Sequence, residues 1–188
     1  MPSFTINDIK NLQCDNIDDY KIFIETGTYM GDTIFSMEPH FDKLYTVEIK
    51  PEFYYNNKNR YNGQKINFIL GDSTYEIENI CKNIKEKSIF FLDGHWSAGN
   101  TGKGEKDIPL IEEINSIYNY FDNEAIVIID DRRMFGKGPN KGTDICNWED
   151  ISEEKITEIL KDRIEKMYYL SSPLDSKDRL IYHIKSKI

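Results

Sequence analysis

The chain has 188 residues, and its 33 acidic against 24 basic side chains give a net charge of -9. With no basic stripe, that balance argues against a duplex nucleic-acid partner and against binding to an anionic membrane. A hydrophobic content of 39% and a charged content of 30% describe a folded chain with one substantial core, read as a single domain over 1–188.

A short helix is predicted near Ile6 to Leu12. The apolar run Lys21 to Glu25 reads as the first strand. Thr26-Gly27-Thr28 and Gly31 then form a glycine turn into a helix running to Met37. Glycine has no Cβ, so such a turn lets backbone N–H groups approach a ligand closely. The second strand, Lys43 to Ile49, carries Glu48 at its end, and Pro51 opens a helix to about Tyr61, a favoured place for proline. The third strand is Ile66 to Leu70, followed by Gly71-Asp72-Ser73; Ser73 and Glu76 have capping-box spacing, which predicts a helix start.

The fourth strand, Ser88 to Leu92, runs into Asp93-Gly94-His95-Trp96 and a polar, glycine-rich loop. Ile111, Ile114, Ile117 and Phe121 then mark one apolar face of a helix. The fifth strand, Ala125 to Ile129, ends in Asp130-Asp131, and the polar stretch Arg132 to Asp150 has the length of a functional lid or an unstructured loop. Ser152 caps a helix to about Ile164, with Glu153 and Glu154 in its first turn. Met167 to Leu170 and Leu180 to Lys185 lie too close for a helical crossover and are predicted to pair antiparallel. The expected architecture is an α/β three-layer sandwich: a seven-stranded, mostly parallel sheet closed by a C-terminal hairpin, with one reversed strand at its edge.

Five successive strands thus end in acids: Glu25, Glu48, Asp72, Asp93 and Asp130-Asp131. Ligands of open α/β sheets bind at these carboxyl ends. Glu48 is either a ribose-hydroxyl acceptor or a solvated strand-end acid, and Asp72 with Ser73 accepts either from an adenine amino group or from the helix N-terminus. Asp93, Asp130 and Asp131 would repel one another and suit a hard cation such as Mg²⁺, although Asp130-Asp131 also reads as a turn followed by an exposed acid. His95, two residues after Asp93, is a candidate general base, whereas His40 and His183 read as structural. Trp96 suits a pocket wall or the core, and Phe53-Tyr54-Tyr55 reads as packing. Lys103, Lys106, Arg132, Arg133 and Lys137 each read as solvated before they read as substrate contacts.

The ETGTYMG segment, Glu48 and Asp72 resemble the corresponding motifs of class I S-adenosylmethionine-dependent methyltransferases, a Rossmann-like family whose sheet also closes in a hairpin. The resemblance covers the chain from about Lys21 to its C-terminal hairpin. It implies S-adenosylmethionine as cofactor, with Glu25, Thr26, Gly27, Thr28, Gly31, Glu48, Asp72, Ser73 and Asp93 around it. Asp93, Asp130 and Asp131 look like the metal ligands of cation-dependent O-methyltransferases. Catechol O-methyltransferase has Asp-Asn after its fifth strand, where this chain has Asp130-Asp131. The DGHW segment is similar to that of the macrocin and mycinamicin type of sugar O-methyltransferase. This implies methyl transfer to a small-molecule or glycan hydroxyl, with Asp93 and His95 as catalytic residues, in a pathway that often includes a glycosyltransferase. The alternatives are a nicotinamide-dependent oxidoreductase, against which the turn is not GxGxxG, and a non-catalytic nucleotide- or sugar-binding module. Scattered Cys14, Cys81 and Cys146, with no bilayer-length apolar run and no signal-peptide pattern, lead to the expectation of a cytoplasmic protein with reduced thiols.

Overall fold

The computed structural model describes residues 4–142 and 145–187. Its elements in chain order are α1 (Ile6–Lys10), β1 (Ile22–Thr26), α2 (Asp32–Met37), β2 (Lys43–Glu48), α3 (Pro51–Arg60), β3 (Ile66–Leu70), α4 (Ser73–Asn83), β4 (Ser88–Leu92), α5 (Leu110–Tyr120), β5 (Ala125–Ile129), α6 (Glu153–Leu160), β6 (Ile164–Leu170) and β7 (Arg179–Ile184). The strands form one sheet in the order β3-β2-β1-β4-β5-β7-β6. The pairs among β1 to β5 are parallel, and β7 is antiparallel to both β5 and β6.

The hairpin forms as predicted, but the reversed strand is not at the edge. β7 is buried along its whole length between β5 and β6, while β6 exposes Glu165, Lys166 and Met167 at the border. The reason is composition. The run Leu180-Ile181-Tyr182 can bury both faces, and charged residues are what an edge strand tolerates.

Strand alternation sorts the core into two layers. Phe23, Leu44, Phe91, Ile126 and Ile128 pack with Ile9, Ile34 and Met37 of α1 and α2. Ile24, Phe90, Leu92, Val127 and Ile129 pack with Ile77, Ile114 and Ile156 of α4, α5 and α6. Apolar side chains on both faces make the central strands continuous hydrophobic runs.

Local differences from the predicted elements have local causes. The α4 cap is Asp72, not Ser73: Asp72 has extended backbone and its Oδ1 accepts from Thr74 N–H at 2.9 Å. The stretch after α6 tightens into a 3₁₀ turn at Lys161–Arg163, so β6 begins earlier than Met167, with an irregularity between Ile164 and Lys166. The long polar segment 132–150 is anchored where described. Cys146 and Trp148 are buried, Trp148 N–H donates to Lys137 C=O at 2.8 Å, and Gly136 N–H donates to Trp148 C=O at 3.1 Å.

β1 lies between β2 and β4, and the chain crosses from β3 to β4 on the far side of β1. The carboxyl ends of β1 and β4 therefore border the crevice at the topological switch point. There Gly27 has φ +83°, and a β-carbon on it would fall 2.4 Å from the Asp93 carbonyl oxygen. Only glycine lets the two turns approach this closely.

Candidate active site

A cleft of about 980 Å³, partly open to solvent, follows this switch point. Glu25, Gly27, Thr28, Glu48, Asp72, Ser73, Asp93 and His95 all line it. Thr26 is buried behind it, and Gly31, with φ +78°, turns the chain into α2.

Glu25 points to the α2 side of the sheet and is 2% exposed. The Thr46 hydroxyl donates to its Oε2 at 2.6 Å and lies 2.6 Å from the Thr28 hydroxyl. Burial pushes Glu25 up to about 8, and the bond from Thr46 only partly offsets this. Glu48 accepts from Tyr29 N–H and Lys50 N–H, each at 2.8 Å. Burial raises Glu48 too, against the pull of these amides. Its carboxylate is thereby held rigidly at the cleft wall. Asp72 keeps both of its sequence-level options: it caps α4 and it also lines the cleft.

The loop between β4 and α5 covers this half of the cleft. Its ends are tied by Trp96 N–H donating to Asp107 C=O at 2.8 Å. Between them Ala98 and Gly99 adopt positive φ, and Lys50 Nζ donates to the Asn100 carbonyl. The tip rests on Ile49 and Lys50 at Gly102, on Asp72 at Gly104, and on the Tyr75 hydroxyl through Glu105. Phe53, read from sequence as packing, is buried and also lines the cleft, with Tyr29 edge-on at 4.7 Å. Trp96 does both jobs as well, packing on the core and walling the cleft.

The acids after β4 and β5 do not gather as the expected trio. Ligand atoms within 4.8 Å of one another fall into two sets among the described residues: Asp93 with His95 and Asp131, and Asp130 with Asp131 and Asp178. Asp130 stands 3.6 Å from Arg179 Nε, whose guanidinium also donates to Asp8 at 2.9 Å. Asp131, with φ +59°, turns the other way. Its Oδ2 lies 3.0 Å from His95 Nε2, and its Oδ1 accepts from Arg133, which bridges to Asp178 at 2.6 Å. His95 Nε2 is also 3.0 Å from the Ser97 hydroxyl, its Nδ1 is 3.5 Å from Asp93 Oδ1, and its ring packs 4.9 Å from Trp148.

Burial is the main force raising Asp93 well above the carboxylate range, followed by repulsion from Asp130 and Asp131. Asp130 is pushed up to about 7, by burial first and Asp131 second, with Arg179 opposing. Asp93 Oδ1 is buried with no hydrogen-bond donor. An orphaned oxygen among mutually repelling acids fits a divalent cation.

Two site residues escaped the sequence reading. Arg133 sits against Asp131 and Asp178 and is not simply solvated. Glu113 of α5 is 1% exposed beside Gly94, and its one trace in the sequence is an acid on the apolar face of Leu110, Ile114 and Ile117.

Comparison with solved structures places the fold among methyltransferases. An amino pentose methyltransferase from Micromonospora echinaspora, solved with S-adenosylmethionine bound and involved in calicheamicin biosynthesis, superposes with a TM-score of 0.59 at 8% identity, over 95% of this chain and 88% of that one. An S-adenosylmethionine-dependent methyltransferase from Clostridium acetobutylicum gives 0.59 at 15% identity, over 95% and 89%. An rRNA methylase from Streptococcus thermophilus gives 0.53 at 13% identity, over 90% and 89%. No family model and no curated protein sequence matches the chain. The chain therefore has the Rossmann-like fold of S-adenosylmethionine-dependent methyltransferases. No helix among the described residues is long and apolar enough to cross a membrane.

Proposed function

We propose that this chain is an S-adenosylmethionine-dependent, divalent-metal-assisted O-methyltransferase whose acceptor is a sugar or glycan hydroxyl. The observation that carries the reading is that His95, backed by Asp131, lines the same cleft as Gly27, Glu48 and Asp72. A base thus stands beside the place where this fold holds its cofactor. The sugar assignment comes from the DGHW resemblance and is compatible with the amino pentose methyltransferase among the structural neighbours. Such an acceptor would be supplied by a glycosyltransferase of the same pathway.

Glu48 would receive the ribose hydroxyls with the oxygen lone pairs that Tyr29 and Lys50 leave available. The Gly27 turn would let the cofactor approach the backbone of β1 and β4. Methyl transfer forms the bond from acceptor oxygen to methyl carbon as the carbon–sulfur bond breaks, leaving S-adenosylhomocysteine. Such a displacement needs oxygen, carbon and sulfur in line, so positioning supplies much of the rate. His95, which Asp131 and Ser97 contact at Nε2, would take the acceptor proton. Asp93 and Asp131 would hold a divalent cation such as Mg²⁺, which when bound lowers the pKa of an acceptor hydroxyl. The loop over Ile49, Lys50 and Asp72 screens the cofactor half of the cleft from water.

The test is methyl transfer from labelled S-adenosylmethionine to a panel of sugars and glycans, with and without chelator. Transfer that needs both the cation and His95 supports the proposal. Transfer only to non-hydroxyl acceptors, or none to any acceptor, contradicts it.

A further inference from the structure

Glu113 occupies a place that the methyl-transfer chemistry does not use. It lies on the core-facing side of α5, between Leu110 and Ile114, where an apolar residue would ordinarily pack. Its carboxyl stands behind the cleft where three elements meet. The hydroxyls of Thr26, at the end of β1, and Ser73, at the start of α4, face it. Its Oε1 lies 3.1 Å from where a β-carbon on Gly94 would stand. That oxygen is buried and has no hydrogen-bond partner. Glu113 also borders a small, partly open pocket shared with Asp93, Gly94 and His95.

Burying a carboxyl with an unsatisfied oxygen costs stability. The buried face of α5 around it is otherwise leucine, isoleucine and the small Ser116. The groups it touches do matter to the cleft. Ser73 and Gly94 line it, and the Thr26 hydroxyl accepts from Asp93 N–H at 3.3 Å, tying β1 to β4. We infer that Glu113 is a positioning residue for the cofactor. It sets the Thr26 and Ser73 hydroxyls and the Gly94 turn in the arrangement that the cofactor meets, at a cost to the stability of the fold. This rests on the cofactor reading above.

Calorimetric titration with S-adenosylhomocysteine tests it, on wild type, Glu113→Gln and Glu113→Met, each with a thermal melt. The amide keeps the size and most contacts, so Glu113→Gln should bind within about threefold of wild type. Methionine fills the space without the polar contacts, so Glu113→Met should melt higher than wild type yet bind roughly tenfold or more weakly. A buttress with no role in the site would behave otherwise, because its replacement would lower the melting temperature. Wild-type affinity in Glu113→Met overturns the inference. So does weakened binding with a lowered melting temperature, or an equal loss in Glu113→Gln. If wild type itself fails to bind, the cofactor reading has failed and this inference falls with it. That outcome is distinct from binding by wild type and the methionine variant alike.

Discussion

His95 Nε2 lies 3.0 Å from Asp131 Oδ2, so an imidazole and a carboxylate join the turn after β4 to the turn after β5. Asp131 reaches this contact only through a left-handed backbone, a conformation uncommon outside glycine. Its other oxygen is held by Arg133, which is fixed in turn by buried Asp178 at the foot of β7. The closing hairpin thereby helps aim the imidazole.

Replacing His95, the proposed base, should separate chemistry from binding. His95→Ala is expected to lower the rate of methyl transfer by about 10²–10⁴-fold while S-adenosylhomocysteine affinity stays within about threefold. Asp131→Asn should give a loss of the same kind, because it removes the charge that steadies the ring. Single-turnover kinetics beside calorimetry check both, and undiminished transfer in His95→Ala would remove the base from the mechanism.

The glycine turn makes a prediction about both folding and binding. Gly27→Ala places a methyl group 2.4 Å from the Asp93 carbonyl at a backbone with φ +83°. The expected cost is about 1–3 kcal/mol of stability, with cofactor binding lost, read from urea unfolding and calorimetry. An unchanged urea midpoint would show that the two turns are not in tight contact.

The buried acids set the direction of the pH dependence. Glu25 is raised from an ordinary 4.5 to about 8, and Glu113 from 4.5 to about 7, both chiefly by burial. A carboxyl with a raised folded-state value binds its proton more tightly in the native protein. Its contribution is fully present below the unfolded value and is lost as pH rises through the folded one. Stability should therefore fall from about pH 5 to pH 8, by up to roughly 1.4 kcal/mol per pH unit for each such group. Glu25→Gln should flatten part of this slope in urea melts across that range. A slope of unchanged size in the variant would assign the effect elsewhere.

Asp93 offers a test of the cation. Asp93→Asn removes a carboxylate that burial and its neighbours disfavour, so the variant should melt at or above wild type. Mn²⁺ or Mg²⁺ should raise the melting temperature of wild type, chelator should reverse the rise, and neither should act on Asp93→Asn. A cation response that persists in the variant would place the metal at other ligands.

Much of this arrangement is legible in the amino-acid order because it depends on local pattern. Ile66–Leu70, Ser88–Leu92 and Ala125–Ile129 are continuous apolar runs, and their ends fall where the acids and glycines begin. Burial on both sides of a parallel sheet leaves that signature. The hairpin follows from its short connection, but the insertion of β7 beside β5 depends on how β6 and β7 compare in burial, which neither strand states alone. The division of the acids is tertiary as well. Asp130 turns to Arg179, which is 49 positions away, and Asp131 turns to His95, through contacts that adjacent numbering conceals. Arg133 looks like any surface arginine until Asp178 comes back beside it, whereas Glu113 leaves a trace as an acid on an apolar face.

The cleft bounded by Gly27, Glu48 and Asp72 is proposed to hold S-adenosylmethionine. Calorimetric titration of the wild-type protein with S-adenosylhomocysteine, with and without Mg²⁺ and with NADH as control, addresses it most directly. The account predicts one-to-one binding of S-adenosylhomocysteine at roughly micromolar affinity, weakened by Glu48→Ala, and none of NADH. Preference for NADH, or no binding of S-adenosylhomocysteine under either condition, would contradict it.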